Sequence, residues 1–175
     1  MAKMNALADP EIIGALYRAS QAGVKVSLNV RGICMLVPGV QGLSENIRVV
    51  SIIDHFLEHS RIYYFANGGA EELYLASADW MTRNLERRVE LMFPILQEDC
   101  RKTVLETLSA YFRDNSQAWL LDSDGAWTRL EPAPGDEPFR AQAYFHNRAA
   151  KAHAEEHPGP ARGEFVVRRS TANKN

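Results

Sequence analysis

The chain has 175 residues, of which 46% are hydrophobic and 24% charged, and its formal net charge is -2. These values are typical of one globular domain and exclude a global charge excess that would recruit nucleic acid or an anionic membrane. No apolar run reaches the roughly 20 residues of a membrane-spanning helix, and the two distant cysteines favour neither a disulfide framework nor a zinc site. We therefore expect a cytoplasmic protein without a nucleic-acid partner, and membrane association is left open.

The first part of the chain predicts a helix, a strand and a second helix. Asp9-Pro10-Glu11 supplies an N-cap, a first-turn proline and an acid, so a helix is expected from here to Gly23. Residues 24–30 alternate between apolar and polar, which predicts a strand. Ser44 precedes apolar residues at helical spacing through Leu57, which predicts a second helix with His59 at its exit. Lys3 and Asn5 could donate to an anion, but we expect the amino terminus to fray.

The second part predicts two hairpins separated by a helix. Residues 67–69, Asn-Gly-Gly, suit a hairpin turn, and a strand is expected before Pro94. Helical spacing runs from Glu98 to Asp114, a further hairpin surrounds residues 122–125, and a last amphipathic helix runs from about residue 138 towards 155. We predict a mixed α/β domain over residues 1–155, with a central mixed sheet flanked by helices, and a loosely ordered tail over residues 156–175.

His59 is the first candidate for chemistry because an imidazole titrates near neutral pH and can act as a nucleophile or as a general acid and base. A lone histidine is more often a packed or solvated residue. His55 and His59 have the i,i+4 separation of helical metal sites, yet the glutamate that would follow the first histidine is absent. We therefore predict no metal site here.

Several cationic and hydroxyl side chains could bind phosphate oxygens. Arg31 follows the predicted strand and precedes a glycine, where a guanidinium can stand at the end of the strand and bind two oxygens. Ser77, Arg61 and Arg88 are further candidates for phosphate binding, with Arg83 nearby. A surface arginine and a solvated charged turn remain the alternatives.

Ordered sequence blocks along most of the chain resemble the polyphosphate kinase family, and they cover roughly residues 1 to 150. The blocks are Ala2-Lys3-Met4-Asn5, Asp9-Pro10-Glu11-Ile12-Ile13, Ala19-Ser20-Gln21-Ala22-Gly23, Val30-Arg31-Gly32, Leu43-Ser44-Glu45-Asn46-Ile47-Arg48, Leu57-Glu58-His59-Ser60-Arg61, Phe65-Ala66-Asn67-Gly68-Gly69 and Ser77-Ala78-Asp79-Trp80-Met81-Thr82-Arg83-Asn84.

This resemblance implies reversible transfer of the ATP γ-phosphate to polyphosphate, with release of ADP, through a phosphohistidine. The catalytic core of such enzymes has two related domains of phospholipase D type, and this chain resembles the second. The resemblance places ATP and phosphate contacts on Arg31 and His59. His59 would act as the acid and base opposite a nucleophilic histidine of the preceding domain, and Arg31 would stabilise charge on the transferring group. Magnesium would accompany ATP, mainly at that other domain.

The chain also departs from the wider family patterns. His59-Ser60-Arg61 and Ser77-Ala78-Asp79 do not match the phospholipase D motifs, which weakens a phosphodiesterase interpretation. The preceding domains of a polyphosphate kinase are not in this sequence, so we expect a fragment that is inactive alone. Two alternatives remain open: a non-catalytic polyphosphate or nucleotide binding module, and a phosphodiesterase that acts as a dimer, a homo-oligomer in which two copies meet across a twofold axis and each gives one histidine.

Overall fold

A computed structural model describes residues 1–156 of the chain. Most of the tail predicted for residues 156–175 therefore lies outside the described residues. Within them are four α-helices: α1 (Pro10–Gln21), α2 (Thr82–Arg87), α3 (Glu98–Arg113) and α4 (Ala141–Glu156). The strands are β1 (Ala2–Met4), β2 (Val26–Val30), β3 (Ile47–Ile52), β4 (Ile62–Phe65), β5 (Glu72–Ala76), β6 (Met92–Pro94), β7 (Ala118–Leu121) and β8 (Trp127–Arg129).

The strands form one mixed sheet of eight in the order β6-β5-β4-β1-β2-β3-β7-β8. The three central strands β1, β2 and β3 run parallel, and the flanking strands pair antiparallel to them or to one another. This arrangement confirms the predicted mixed α/β class. None of the described helices is long and apolar enough to cross a bilayer.

The amino terminus does not fray as predicted, because it forms a central strand of the sheet. β1 pairs with β2 on one side and with β4 on the other, so its backbone is held along both edges. Lys3 is fully buried in this strand. The prediction failed because only the later strands, distant in sequence, give a three-residue terminal segment its hydrogen-bond partners.

The helix predicted after Ser44 is also wrong, since residues 47–52 form β3 and the following segment is irregular. β-branched side chains favour a strand at Ile47, Val49 and Ile52. A strand buried on both faces carries apolar residues at nearly every position, and this pattern also satisfies helical spacing. His55 and His59 consequently share no helix face.

Two apolar layers cover the two faces of the sheet. Ala2 and Met4 face α1, whose Ile12, Ile13 and Leu16 pack against them. Lys3 points to the opposite face, because side chains alternate along a strand, and its ammonium lies over the Tyr111 ring of α3. The same face holds α4, which contributes Ala141 to a cluster with Ile52 and Tyr111.

The other predicted helices and strands are confirmed, with small shifts of boundary. The first helix ends at Gln21, and its N-cap Asp9 accepts from the Glu11 and Ile12 amides, as expected for a capping aspartate. Both hairpins form, as do α3 and a last helix that begins at Ala141. The short helix α2, however, lies where a charged turn was the alternative considered.

Candidate active site

An open pocket of about 560 Å³ lies at one edge of the sheet, where β1, β2 and β5 end and β4 begins. Because β4 runs antiparallel to β1, residues just before β4 reach the same edge as residues just after β1 and β2. The charged residues of its lining are four arginines and two carboxylates, which makes the pocket locally cationic although the chain is slightly acidic. They are Arg31, Arg61, Arg83, Arg88, Asp79 and Glu90.

Arg31 is the first residue after β2, and the backbone around it is tightly held. Its amide donates to the Met4 carbonyl at 3.2 Å, and its carbonyl accepts from the Ser51 hydroxyl at 3.0 Å. A Cβ added at Gly32 would lie 3.2 Å from the Asn5 carbonyl oxygen, closer than most side chains tolerate. Glycine at this position therefore lets the chain turn beside β1 and leaves the Arg31 side chain at the pocket.

His59 stands across the pocket, and its ring contacts Arg61. The Arg61 Nη1 atom lies 3.1 Å from His59 Nδ1 and 2.9 Å from the His59 carbonyl oxygen. A guanidinium has donors only, so Nδ1 must accept this hydrogen bond. In the neutral imidazole the proton then sits on Nε2, the ring nitrogen that Arg61 leaves free.

Asp79 holds Arg61 in this position. The carboxylate accepts from Arg61 Nε and Nη2, each at 3.1 Å, in the two-pronged geometry typical of arginine and carboxylate pairs. Burial alone would raise the pKa of Asp79, but the hydrogen bonds from Arg61 and the Asn5 amide outweigh it and lower the pKa. Arg61 thus has its charge balanced by a buried carboxylate, and its contact with phosphate stays a prediction.

Asn5 joins the two sides of the pocket. Its amide donates to Asp79 Oδ1 at 2.7 Å, and its side-chain oxygen accepts from Arg31 Nε at 3.0 Å. A continuous chain of hydrogen bonds therefore runs from Arg31 through Asn5, Asp79 and Arg61 to His59. This chain fixes the relative positions of the two residues that the sequence singled out.

The far wall of the pocket contains Ser77, Arg88 and Glu90. The Ser77 hydroxyl donates to Glu90 and accepts from the Leu91 amide at 2.9 Å. Hydrogen bonds from Ser77 and Asn84 lower the pKa of Glu90. The Ser77 proton is therefore committed within this wall, whereas Arg88 is exposed at the pocket rim.

The pocket offers no ready set of ligands for a metal ion. In the described part of the chain, no group of three or more histidine, cysteine, aspartate or glutamate side chains is placed to hold one. Asp79 is engaged by Arg61, and Glu90 is engaged by Ser77 and Asn84. A divalent cation entering this pocket would need oxygen ligands from the molecule that it accompanies.

The sequence pointed to Arg31 and His59 but not to the residues that hold the irregular segment in which His59 lies. Glu58, Arg140 and Gln142 were not predicted to matter, and their contacts join positions about 85 residues apart. No local spacing signals such a contact, since only the folded sheet brings α4 beside the segment that precedes β4.

Comparison with known proteins gives concordant matches. The family model of the polyphosphate kinase C-terminal domain 2 matches residues 1–142. A polyphosphate kinase from Rhodopirellula baltica is 55% identical over 159 residues, which cover 88% of this chain and 19% of that protein. A polyphosphate kinase from Pseudomonas aeruginosa is 56% identical over 150 residues, which cover 86% of this chain and 22% of that protein.

A solved structure agrees with the sequence matches. The crystal structure of polyphosphate kinase from Porphyromonas gingivalis superposes with a TM-score of 0.82 at 44% identity, covering 89% of this chain and 24% of that one. The chain thus spans about a fifth of the length of the relatives that it matches.

Proposed function

Since the chain belongs to the polyphosphate kinase family and corresponds to its C-terminal domain 2, we propose that it takes part in reversible phosphoryl transfer. The substrates are ATP and inorganic polyphosphate, and ADP is released. The observation that carries this proposal is the hydrogen-bonded chain that places Arg31 and His59 at one cationic pocket. Such a pocket suits a linear polyanion better than a neutral substrate.

Arg31 acts as the clamp for the transferring phosphoryl group. The hydrogen bond from Nε to Asn5 fixes the plane of the guanidinium, so its remaining N–H donors have fixed directions. Phosphoryl transfer depends mainly on positioning the group and stabilising charge on its oxygens, and a planar guanidinium does both. Arg88 and Arg83, exposed at the rim, supply further attraction for the polyphosphate chain.

His59 acts on the leaving oxygen of ATP rather than as the phosphorylated residue. A nucleophilic imidazole needs a lone pair on the attacking nitrogen, whereas the Arg61 contact at Nδ1 leaves the proton on Nε2. As the bond between the γ-phosphorus and the bridging oxygen of ATP breaks, Nε2–H donates a hydrogen bond to the departing ADP oxygen and stabilises its negative charge, and ADP leaves as the anion. In the opposite direction the same N–H holds the ADP oxygen for attack on the phosphohistidine. Because a neutral imidazole keeps this proton, the expected acid and base role becomes that of a hydrogen-bond donor.

The nucleophile is a histidine of the preceding domain of the whole enzyme. Among the described histidines, His59 alone lines this pocket, so a second imidazole must come from outside the described residues. The nitrogen of that histidine receives the phosphoryl group from ATP and passes it to the terminal oxygen of polyphosphate. We infer that the chain alone binds polyphosphate but does not turn over.

Magnesium belongs to the nucleotide in this proposal. The two carboxylates of the pocket are engaged by other side chains, so they do not form a metal site of their own. Mg²⁺ bound with ATP would neutralise phosphate charge, and its ligands would come from the nucleotide and mainly from the preceding domain.

A domain exchange tests the proposal. The C-terminal domain 2 of the Pseudomonas aeruginosa polyphosphate kinase is replaced by this chain, and ATP formed from ADP and polyphosphate is followed by coupled luminescence. We expect turnover by the exchanged enzyme and none by the chain alone. His59→Gln should lower the rate by roughly 100-fold or more, as loss of one positioned hydrogen-bond donor to a developing oxyanion does.

The matched control is His146→Gln, because His146 is exposed on α4 and does not line the pocket. Its rate should equal that of the parent. Full activity of the His59→Gln enzyme would refute the assigned role, and turnover by the isolated chain would refute the need for a partner histidine. Binding without any transfer in the exchanged enzyme would favour the non-catalytic binding module.

A further inference from the structure

The segment between β3 and β4, residues 53–60, carries His59 but contains no helix or strand. Its apolar side chains do not fix it by burial, since Ile53, Phe56 and Leu57 are 63%, 67% and 70% exposed. Polar contacts with α4 and β1 must therefore determine where the segment lies, and with it the position of the His59 ring.

Gln142 of α4 contacts the middle of this segment in both directions. Its side-chain oxygen accepts from the Phe56 amide at 2.9 Å, and its side-chain nitrogen donates to the Phe56 carbonyl at 2.8 Å. These are the two bonds that a neighbouring strand would make. The same nitrogen donates to Glu58 Oε1 at 2.7 Å, and Gln142 is only 6% exposed.

Contacts on either side of Phe56 complete the support. Arg140 forms a two-pronged ion pair with Asp54, with Nε at 2.7 Å from the carboxylate. Fully buried Lys3 donates to the Ser60 carbonyl at 3.1 Å and lies 4.0 Å from Glu58. The anchored residues are therefore alternate ones, at positions 54, 56, 58 and 60.

We propose that Gln142 is a positioning residue for His59, and this proposal rests on the catalytic role proposed for that histidine. Glu58 and Ser60 are the neighbours of His59 in sequence. Both are hydrogen-bonded on the side of the segment that faces α4 and β1, whereas the imidazole faces the pocket. Gln142 fixes the Phe56 peptide and the Glu58 carboxylate together. It acts through the backbone of the segment, at no point touching the imidazole or the pocket.

Helix α4 can serve this purpose because its start is itself fixed. Asp114 accepts from the Ala141 amide at 2.8 Å and from the amides of Ser116, Gln117 and Ala118 at the start of β7, so the first turn of α4 is tied to the sheet. Gln142 follows Ala141 in the same turn, so these contacts also fix its position. The proposal thus links the order of a catalytic segment to the first turn of a helix more than 80 residues away in sequence.

The test compares Gln142→Glu with the matched variant Gln21→Glu. The carboxylate that Gln142→Glu introduces would keep the acceptor for the Phe56 amide but would face the Phe56 carbonyl and Glu58, where Gln142 donates. Gln21 also donates to a backbone carbonyl, that of Gly42 at 3.0 Å, but on the exposed surface of α1. Both variants are made in the full chain for hydrogen exchange and in the exchanged enzyme for kinetics.

We expect Gln142→Glu to speed amide exchange at Phe56 by about tenfold or more, with amides of β2 unchanged as evidence of an intact fold. In the exchanged enzyme kcat should fall by about tenfold, with the KM for polyphosphate unchanged, because Arg31 keeps its own support. Gln21→Glu should change neither quantity. Gln142→Ala provides a second variant that removes the contact without adding charge, and it should shift both quantities in the same direction.

Three results would overturn the proposal. Unchanged exchange at Phe56 would show that Gln142 does not hold the segment, and faster exchange with unchanged kcat would show that holding it does not position His59. A loss of protection throughout the sheet would show a merely structural role. Failure of the proposed function is read separately, from the His59→Gln enzyme, so the two outcomes are distinguishable.

Discussion

Arg31 and His59 reach the same pocket with two different kinds of support. Arg31 follows a central strand whose backbone is paired with β1 on one side and β3 on the other. His59 lies in an irregular segment held by side chains of β1, of α4 and of Arg140 just before α4. A residue at the end of a paired strand depends on many backbone bonds that no single substitution removes, whereas a residue in a loop depends on a few identifiable side chains.

This difference predicts that substitutions on the face of the sheet that carries α4 will displace His59 without displacing Arg31. Changes at α4 or at Lys3 should disturb His59 and leave Arg31 in place, because they do not alter the pairing of β2 with its neighbours. The following predictions test that separation, beginning with the largest expected effect.

Asp114→Ala should cause the largest loss. Its carboxylate, 2% exposed, accepts four backbone N–H groups, and the Ala118 and Ala141 amides among them are buried. Unsatisfied buried donors cost about 1–3 kcal/mol each, so we expect the free energy of unfolding in urea to fall by about 3–5 kcal/mol. Release of α4 should also speed exchange at Phe56 before that in β2.

Asp124→Ala provides the control for this change. Asp124 accepts one bond, from the Ala126 amide at 2.9 Å, in the exposed turn between β7 and β8. Its loss should cost less than about 1 kcal/mol. Equal costs for the two variants would contradict the assigned importance of Asp114 and would remove the anchor from α4.

Asp54→Asn should have a smaller effect that depends on pH. The hydrogen bonds from Arg140 hold the pKa of Asp54 below its usual value of 3.8. A lowered pKa means that the ion pair stabilises the fold above pH 3.8 and that this contribution is lost as pH falls through the folded-state pKa. We expect the variant to be less stable by about 1–2 kcal/mol at pH 7.

Urea unfolding between pH 7 and about pH 3 measures the difference between the parent and Asp54→Asn, which should shrink on acidification. Asp136→Asn is the control, since Asp136 is exposed in the loop between β8 and α4. A stability difference independent of pH would show that the Asp54 charge does not contribute.

Lys3→Met should reveal a smaller effect at alkaline pH. Burial lowers the pKa of Lys3 from 10.5 to about 8, although Glu58 partly opposes this. Between these two values the unfolded chain binds the proton that the folded chain has released, so the Lys3 contribution makes stability rise with pH. The rise should be on the order of 1 kcal/mol from pH 8 to 9.5 and should be absent in Lys3→Met.

The upper limit of this window is set by tyrosines. Burial raises the pKa of Tyr63 and Tyr111, so above pH 10 ionisation in the unfolded chain opposes the Lys3 contribution. Measurements should therefore stop below that point. The same pH dependence of stability in the parent and in Lys3→Met would contradict the account of Lys3 as a buried lysine that loses its proton in the folded chain.

The elements that could be predicted from sequence are those whose signals are local. The cap, proline and acid at residues 9–11 specify the start of α1, and Asn67-Gly68-Gly69 supplies the positive φ angles of the turn between β4 and β5. β1 and β3 could not be predicted, because a strand paired on both sides is defined by its neighbours and a doubly buried strand also satisfies helical spacing.

The site shows the same division. Arg31 and His59 were predicted as site residues because the sequence around each of them resembles the family, and both line one pocket in the structure. Asn5 and Asp79, which link them, were seen only as possible donors or as part of a charged turn. Gln142 left no local signal at all, since its role depends on the packing of α4 against a segment that the sequence misassigned to a helix.

The central claim is that this pocket binds polyphosphate through Arg31. It is tested most directly by titrating the chain with polyphosphate of defined length at low and high salt. We expect binding that weakens steeply with salt and falls by about tenfold or more in Arg31→Ala, while Arg18→Ala, altered on the exposed side of α1, binds like the parent. Binding that does not respond to salt, or equal weakening by both variants, would contradict the claim.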